Sequence, residues 1–230
     1  MQTARLVRSQ RFKDAVFATA TPFALLSRGV WKLRLRSSIP PRLRKGADHR
    51  VWVNLGSGAS PYPQFVNVDI NLARHPDMWL DVRRGMPFAT GTVDAIYTRH
   101  VLEHFYHDEL TRVLADAHRA LRPAGGIRIL VPSLEVACRA YLDGDDSVLM
   151  TFPRPYRSRG GRTVNLLFCD GQHRMAFDFS LMQELLEGAG FTEIGLAARG
   201  ESRFFPASIL HEMEPDEAWL NTSLIVEASR

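Results

Sequence analysis

The chain has 230 residues, 45% of them hydrophobic, which describes a globular protein with one sizeable core and a short appendage. Its two cysteines, Cys138 and Cys169, form no CxxC pair, so neither a disulfide framework nor a zinc site is indicated, and a reducing, cytoplasmic setting fits. The net charge of +4 divides unevenly, with +9 on residues 1–48 and −5 on the remainder, so the basic excess belongs to an arm and not to a core.

That arm, residues 1–48, contains the apolar run AVFATATPFALL (Ala15 to Leu26) behind a positive start. Pro22 interrupts the run, no convincing cleavage site follows it, and it is shorter than the roughly 20 residues a membrane span needs. Trp31, Leu33 and Leu35 alternate with Lys32, Arg34 and Arg36. Two readings stay open: a short amphipathic helix in peripheral contact with an anionic membrane or a partner, or an extra helix packed on the domain. No RNP-like, zinc-finger or helix-turn-helix signal accompanies the charge, which argues against nucleic acid. Pro40-Pro41 marks the boundary before a second unit, residues 49–230.

In that unit short β-branched or aromatic runs alternate with helical patterns: VWVNL (51–55), FVNVDI (65–70), MWLDV (78–82), VDAIYT (93–98), IRILVP (127–132), FTEIGLA (191–197) and SLIVEA (223–228). Alternation of this kind predicts an α/β fold with a mostly parallel sheet. Leu110, Val113, Leu114, Ala117 and Leu121 recur at helical spacing until Pro123, Gly125 and Gly126 stop them. Ser180 is the expected N-cap of a later helix, LMQELLEGAG. Residues 139–178 show no clear period and are rich in Arg, Gly, Asp and Phe, which reads as a lid-like insertion that binds an acceptor.

The first strand ends at Leu55 and runs into Gly56-Ser57-Gly58. In open parallel sheets ligands bind beyond the carboxyl ends of the strands, and glycine there lets backbone approach a ligand. Asp69 closes the second strand, where a carboxylate can accept from both hydroxyls of a ribose, and Asp81 closes the third. A dinucleotide fingerprint would place a third glycine where Pro61 stands, and the ten residues between Gly58 and Asp69 leave no room for a helix to seat a pyrophosphate. A nucleoside cofactor without phosphates is therefore preferred, and S-adenosylmethionine is one.

NLGSG (54–58), NVDI (67–70), LDVRRGMPF (80–88), VDAIYTRHVLEHF (93–105), LRPAGGIRILVPSLE (121–135) and QHRMAFDFSLMQELLEGAGF (172–191) together resemble the class I S-adenosylmethionine-dependent methyltransferases. The shortened first loop is similar to that of small bacterial members often associated with surface-glycan pathways. The resemblance implies a Rossmann-like sheet whose last strand is antiparallel and inserts between the fifth and sixth. It also implies that Asn54, Gly56, Ser57 and Gly58 lie along the methionine portion and that Asp69 holds the ribose. By the same resemblance Asp81 and Val82 meet the adenine, while Thr98, Arg99 and His100 flank the methionine tail and the methyl group. Ala124 and Ser133 depart from the usual pattern, replacing the first glycine of a P-G-G turn and an aspartate after V-P.

Methyl transfer to a hydroxyl or amine also calls for a base. His173 in DGQHRMAFD is the candidate, with Asp170 or Asp178 orienting it and His100 as a second catalytic residue. A metal site built from His100, His104 and His107 is the weaker reading, and Glu103-His104 reads as a structural cap. Arg154, Arg157, Arg159 and Arg162 suggest an acidic or phosphorylated acceptor. The expectation is a methyltransferase acting on an oxygen or nitrogen of a small-molecule or glycan acceptor. Its rival is a catalytically inactive cofactor-binding module tethered by the arm.

Overall fold

The computed structural model describes residues 10–36, 38–215 and 220–230. Residues 1–9, the start of the basic arm, lie outside the described residues. Seven strands, β1 (Trp52–Leu55), β2 (Val66–Asp69), β3 (Met78–Trp79), β4 (Val93–Arg99), β5 (Leu121–Pro132), β6 (Thr192–Leu196) and β7 (Ser223–Ser229), form one sheet. Their order is β3-β2-β1-β4-β5-β7-β6. Strands β1 to β5 pair in parallel, and β7 runs antiparallel to both β5 and β6. The expected inserted antiparallel strand is present, and its direction brings Ser223, the first residue of β7, opposite Pro132 at the carboxyl edge of β5.

The central strands are alternately faced, so β1, β4, β5 and β7 divide their side chains between two cores. Val53 and Leu55 of β1 join a large core with α2 (His107–Ala120) and α5 (Phe179–Gly188). Trp52 of the same strand faces the other side, where its ring lies 5.6 Å from Phe65 and 5.5 Å from Phe205. In β4 the register shifts between Val93 and Ala95, so Val93 and Ile96 share the first core while Ala95 and Tyr97 serve the second.

Arg128, in the middle of β5, is fully buried, and the IRILVP pattern gave no warning of its environment. Its guanidinium holds Glu214 at 2.7 Å and Glu227 at 3.0 Å and also donates to the carbonyls of Glu201 and Ala198. Four acceptors supply what a buried guanidinium needs to offset its lost hydration.

The arm contributes α1 (Gln10–Arg34), which continues through Pro22, and two further features join it to the sheet. Ala24, Arg28, Trp31 and Leu35 fall on one side of the helical path, and Ala24 and Leu35 are buried while Trp31 packs on the large core. The Arg28 Nε donates to Gly85 O at 2.7 Å. Among the described residues no helix is long and apolar enough to cross a membrane.

Residues 139–178 are more regular than their composition suggested. They hold the end of α3 (Leu134–Asp143), a connection, and α4 (Arg159–Phe168), capped by the Ser158 hydroxyl accepting from Gly161 N. The helix after Phe177 begins two residues earlier than expected. Asp178, not Ser180, is its N-cap, accepting from Leu181 N at 2.8 Å, because a carboxylate is a stronger partner for the positive helix end.

Candidate active site

No helix follows β1. The backbone N–H groups of Gly56 and Ser57 both donate to Val68 O, at 2.8 and 3.0 Å, so the glycine turn is stitched directly to β2. Gly56 takes φ 71°, and a Cβ there would lie 2.3 Å from the Val101 side chain, so only glycine fits. The Asn54 amide donates to Ser60 O and to Asn67 Oδ1, and Asn67 in turn bonds Tyr62 and Phe65. Asp69 accepts from Gly58 N at 2.7 Å through Oδ2 and from Asn71 N at 2.6 Å through Oδ1. The loop is thus held open by polar side chains of the strand ends instead of being closed by a helix.

A cavity of about 230 Å³ lies over this loop. Six sequence candidates border it, Asn54, Gly56, Ser57, Gly58, Arg99 and His100, together with Ala59, Ser60, Tyr62 and Tyr97. Asp69, Asp81, Val82 and Thr98 stand outside that lining. Asp81 is buried, and its two oxygens hold the Arg83 guanidinium at 2.8 and 2.9 Å while Oδ1 also caps Arg83 N. Val82 opens the 3₁₀ turn that follows and packs on the large core.

The arrangement suits an uncharged nucleoside with a polar tail. The buried hydroxyls of Ser57 and Tyr97, both in the cavity lining, have no hydrogen-bond partner within the protein, and buried polar groups need one. Burial pushes the Tyr97 phenol well above its ordinary pKa, which keeps it a neutral donor. Arg99 reaches the cavity with its guanidinium braced by Ser60 Oγ and Met213 O. Among the described residues that line the cavity, none lies at a helix N-terminus where a phosphate could sit.

At the end of β4, His100 adopts a left-handed conformation, φ 53°, that a strand residue would not take without local compensation. The compensation is visible in its ring. Nδ1 lies 3.2 Å from Glu103 Oε1 and Nε2 lies 3.1 Å from Ser223 Oγ. With the Nδ1 proton on the carboxylate side, Nε2 accepts from the serine, giving a carboxylate–imidazole–hydroxyl chain at the cavity rim.

Glu103 is 1% exposed. Burial raises its pKa, but the hydrogen bond from His100 and the neighbouring His100, His104 and His173 rings override that, and the carboxyl sits below its ordinary value. His173 Nε2 lies 3.9 Å from the same carboxylate, and its Nδ1 is 2.9 Å from Leu167 O. Burial is the largest influence on His173 and holds its pKa below that of free imidazole.

The proposed orienting residues do not reach His173. Asp170 is clamped by Arg154 through Nε at 3.0 Å and Nη2 at 2.9 Å, and Asp178 caps α5. The carboxylate beside His173 is that of Glu103, which also meets His100. Three of the four insertion arginines are also spent within the chain, Arg154 on Asp170 and Arg159 and Arg162 on Asp146, which removes the argument for an acidic acceptor. Ser223 escaped the sequence reading altogether. It is 123 positions from His100, and only the placement of β7 joins them.

A family model described as a methyltransferase domain matches residues 61–129. No curated protein matches the chain. Among solved structures, an S-adenosylmethionine-dependent methyltransferase from Archaeoglobus fulgidus is 15% identical, covering 88% of this chain and 94% of that one with a TM-score of 0.47. Another from Mesorhizobium loti is 17% identical over 86% and 96% of the two chains, TM-score 0.45. A protein from Bordetella parapertussis is 13% identical over 88% and 66%, TM-score 0.50, a likeness of fold.

Proposed function

We propose that this chain, whose residues 61–129 match a methyltransferase domain, is a class I S-adenosylmethionine-dependent methyltransferase and that the methyl group goes to a hydroxyl oxygen or amine nitrogen of a small molecule or glycan. The observation that carries this reading is the chain Glu103–His100–Ser223 at the edge of the cofactor cavity, a device for removing a proton. An acceptor that is already anionic would have no use for it.

In this reading Asp69 holds the ribose with the lone pairs left on its carboxylate, Ser57 and Tyr97 bond polar edges of the cofactor, and Arg99 takes its carboxylate. The bound cofactor supplies a methyl group on a sulfonium, an excellent leaving group. What remains for the protein is alignment, exclusion of water and proton transfer. Ser223 Oγ would take the proton that the acceptor heteroatom loses and pass its own to His100 Nε2. Glu103, below its ordinary pKa, is ionised to stabilise the imidazolium that forms.

The insertion supports a ring-bearing acceptor. Tyr141, Phe152, Tyr156 and Phe168 are about half exposed, and Tyr141 and Tyr156 both lie against the Gly160-Gly161 start of α4. Exposed flat rings of this kind suit the faces of a sugar or aromatic acceptor. We also place the protein at an anionic lipid surface through α1, whose basic surroundings complement such a surface.

The test is transfer of a labelled methyl group to a panel of hydroxyl, amine, carboxylate and thiol acceptors. Hydroxyl or amine substrates should be methylated. Ser223→Ala, outside the cavity lining, should lower kcat by about 10² while leaving cofactor affinity unchanged. Turnover confined to carboxylates or thiols, with Ser223→Ala at full rate, would refute the reading.

A further inference from the structure

We infer that Glu103, His104 and His173 form a binding site for a first-row divalent cation such as zinc, adjoining but separate from the cofactor cavity. One ligand atom from each lies within 4.8 Å of the other two. Two imidazoles and a carboxylate are a donor set that leaves a fourth position open to water, whereas magnesium and calcium favour all-oxygen ligands.

The hydrogen bonds around the two histidines already fix the form a metal needs. His104 Nδ1 is 3.0 Å from Gln172 O, and His173 Nδ1 is 2.9 Å from Leu167 O. A carbonyl oxygen only accepts, so each Nδ1 carries the ring proton and each Nε2 of the neutral ring presents a lone pair. Backbone carbonyls behind both rings are the usual means of orienting a metal-bound imidazole. The rings meet edge to face with centroids 5.0 Å apart.

The two ligand-bearing segments are joined before any ion arrives. The N–H groups of Arg174 and Met175 donate to Glu103 O at 2.6 and 3.3 Å, so the position after His173 is bonded to the turn that carries Glu103 and His104. Glu103 supplies the reason for a cation. Its Oε1 lies 3.2 Å from His100 Nδ1 and 3.9 Å from His173 Nε2, while Oε2 is buried and has no hydrogen-bond partner. A buried carboxylate calls for a compensating charge, and the protons of His104 and His173 are committed to carbonyls. Exposed His104 leaves the open coordination position toward solvent. An ion here would hold Glu103 ionised and so keep the His100 Nδ1 proton in place.

The experiment is a metal titration of the full chain without a histidine tag, after chelator treatment. Zinc uptake is read by competition with a chromophoric chelator, and cobalt by its visible absorption. One equivalent should bind, with cobalt bands of a four- or five-coordinate site. His104→Ala, a surface change, should weaken binding by about 100-fold with the fold intact by circular dichroism, and His173→Gln should do the same. His107→Ala, outside the cluster, should bind as the parent does. Absence of a stoichiometric site, or equal losses in His104→Ala and His107→Ala, would overturn the inference.

Discussion

Asp69 has one observed duty, bracing the loop, and one proposed duty, holding a ribose. It fastens Gly58 and Asn71 through their amides, and a carboxylate with that much capacity retains lone pairs for ribose hydroxyls. Asp69→Ala should therefore weaken cofactor binding by roughly 1.5–3 kcal/mol, measured by isothermal titration with S-adenosylmethionine, since it removes a charge-assisted bond and loosens the loop. An unchanged affinity would place the nucleoside elsewhere. Asp69 was legible from sequence because its position, at the end of the second apolar run, follows from chain order alone. Asp170 and Glu103 were not, because which carboxylate faces His173 depends on where Arg154 and the 3₁₀ turn Leu102–His104 sit in space. Neighbourhood in sequence pointed to the aspartate three residues before His173, and an arginine had already claimed it.

Among the elements, β5 and α5 offer the clearest tests. Replacing Arg128 by Met would strand two glutamates in the interior, since Glu214 and Glu227 are as inaccessible as the guanidinium between them. Denaturant unfolding of Arg128→Met should show a loss of about 3–5 kcal/mol, the cost of an uncompensated buried charge. Asp178→Ala, which deletes the cap of α5, should cost about 0.5–2 kcal/mol at neutral pH. The bonds from Leu181 N and the Ser180 hydroxyl favour the ionised form and depress the Asp178 pKa. A depressed carboxylate stabilises the fold above its unfolded pKa and ceases to as pH falls through the folded value. The gap between parent and Asp178→Ala should thus persist at neutral pH and narrow in acid, as thermal melts over a pH series would reveal. The strands themselves were readable from alternating apolar runs, most with boundaries within a residue, but β3 ends three residues early at Trp79 and β5 starts six residues early at Leu121, so Pro123, Gly125 and Gly126 extend a strand and do not merely stop a helix. The helices inside residues 139–178 were hidden because α4 begins Arg-Gly-Gly and relies on the Ser158 cap and on packing of Leu166 and Leu167, not on intrinsic propensity.

At the scale of the whole molecule the arm resolves into a helix with two different sides. Ala24, Arg28, Trp31 and Leu35 dock against the domain, whereas Phe23, Leu26, Val30 and Leu33 share the opposite side and are 49–71% exposed. The sequence posed membrane contact and packing as alternatives, since its pattern alone could not show how many sides α1 has to satisfy. Once one side is docked, the apolar residues of the other stand in water, flanked by exposed Lys32, Arg34 and Arg36. Apolar residues beside cations favour an anionic bilayer, where each basic residue near the surface adds about 1 kcal/mol. Flotation with vesicles containing anionic lipid should recover the parent chain, less so as salt is raised. The double substitution Leu26→Glu/Leu33→Glu should abolish flotation without lowering the melting temperature, because neither side chain contributes to the core. Trp31→Ala should do the reverse, destabilising the fold while the outer face stays apolar. Flotation that survives the double substitution would mean that the helix does not present the domain to lipid.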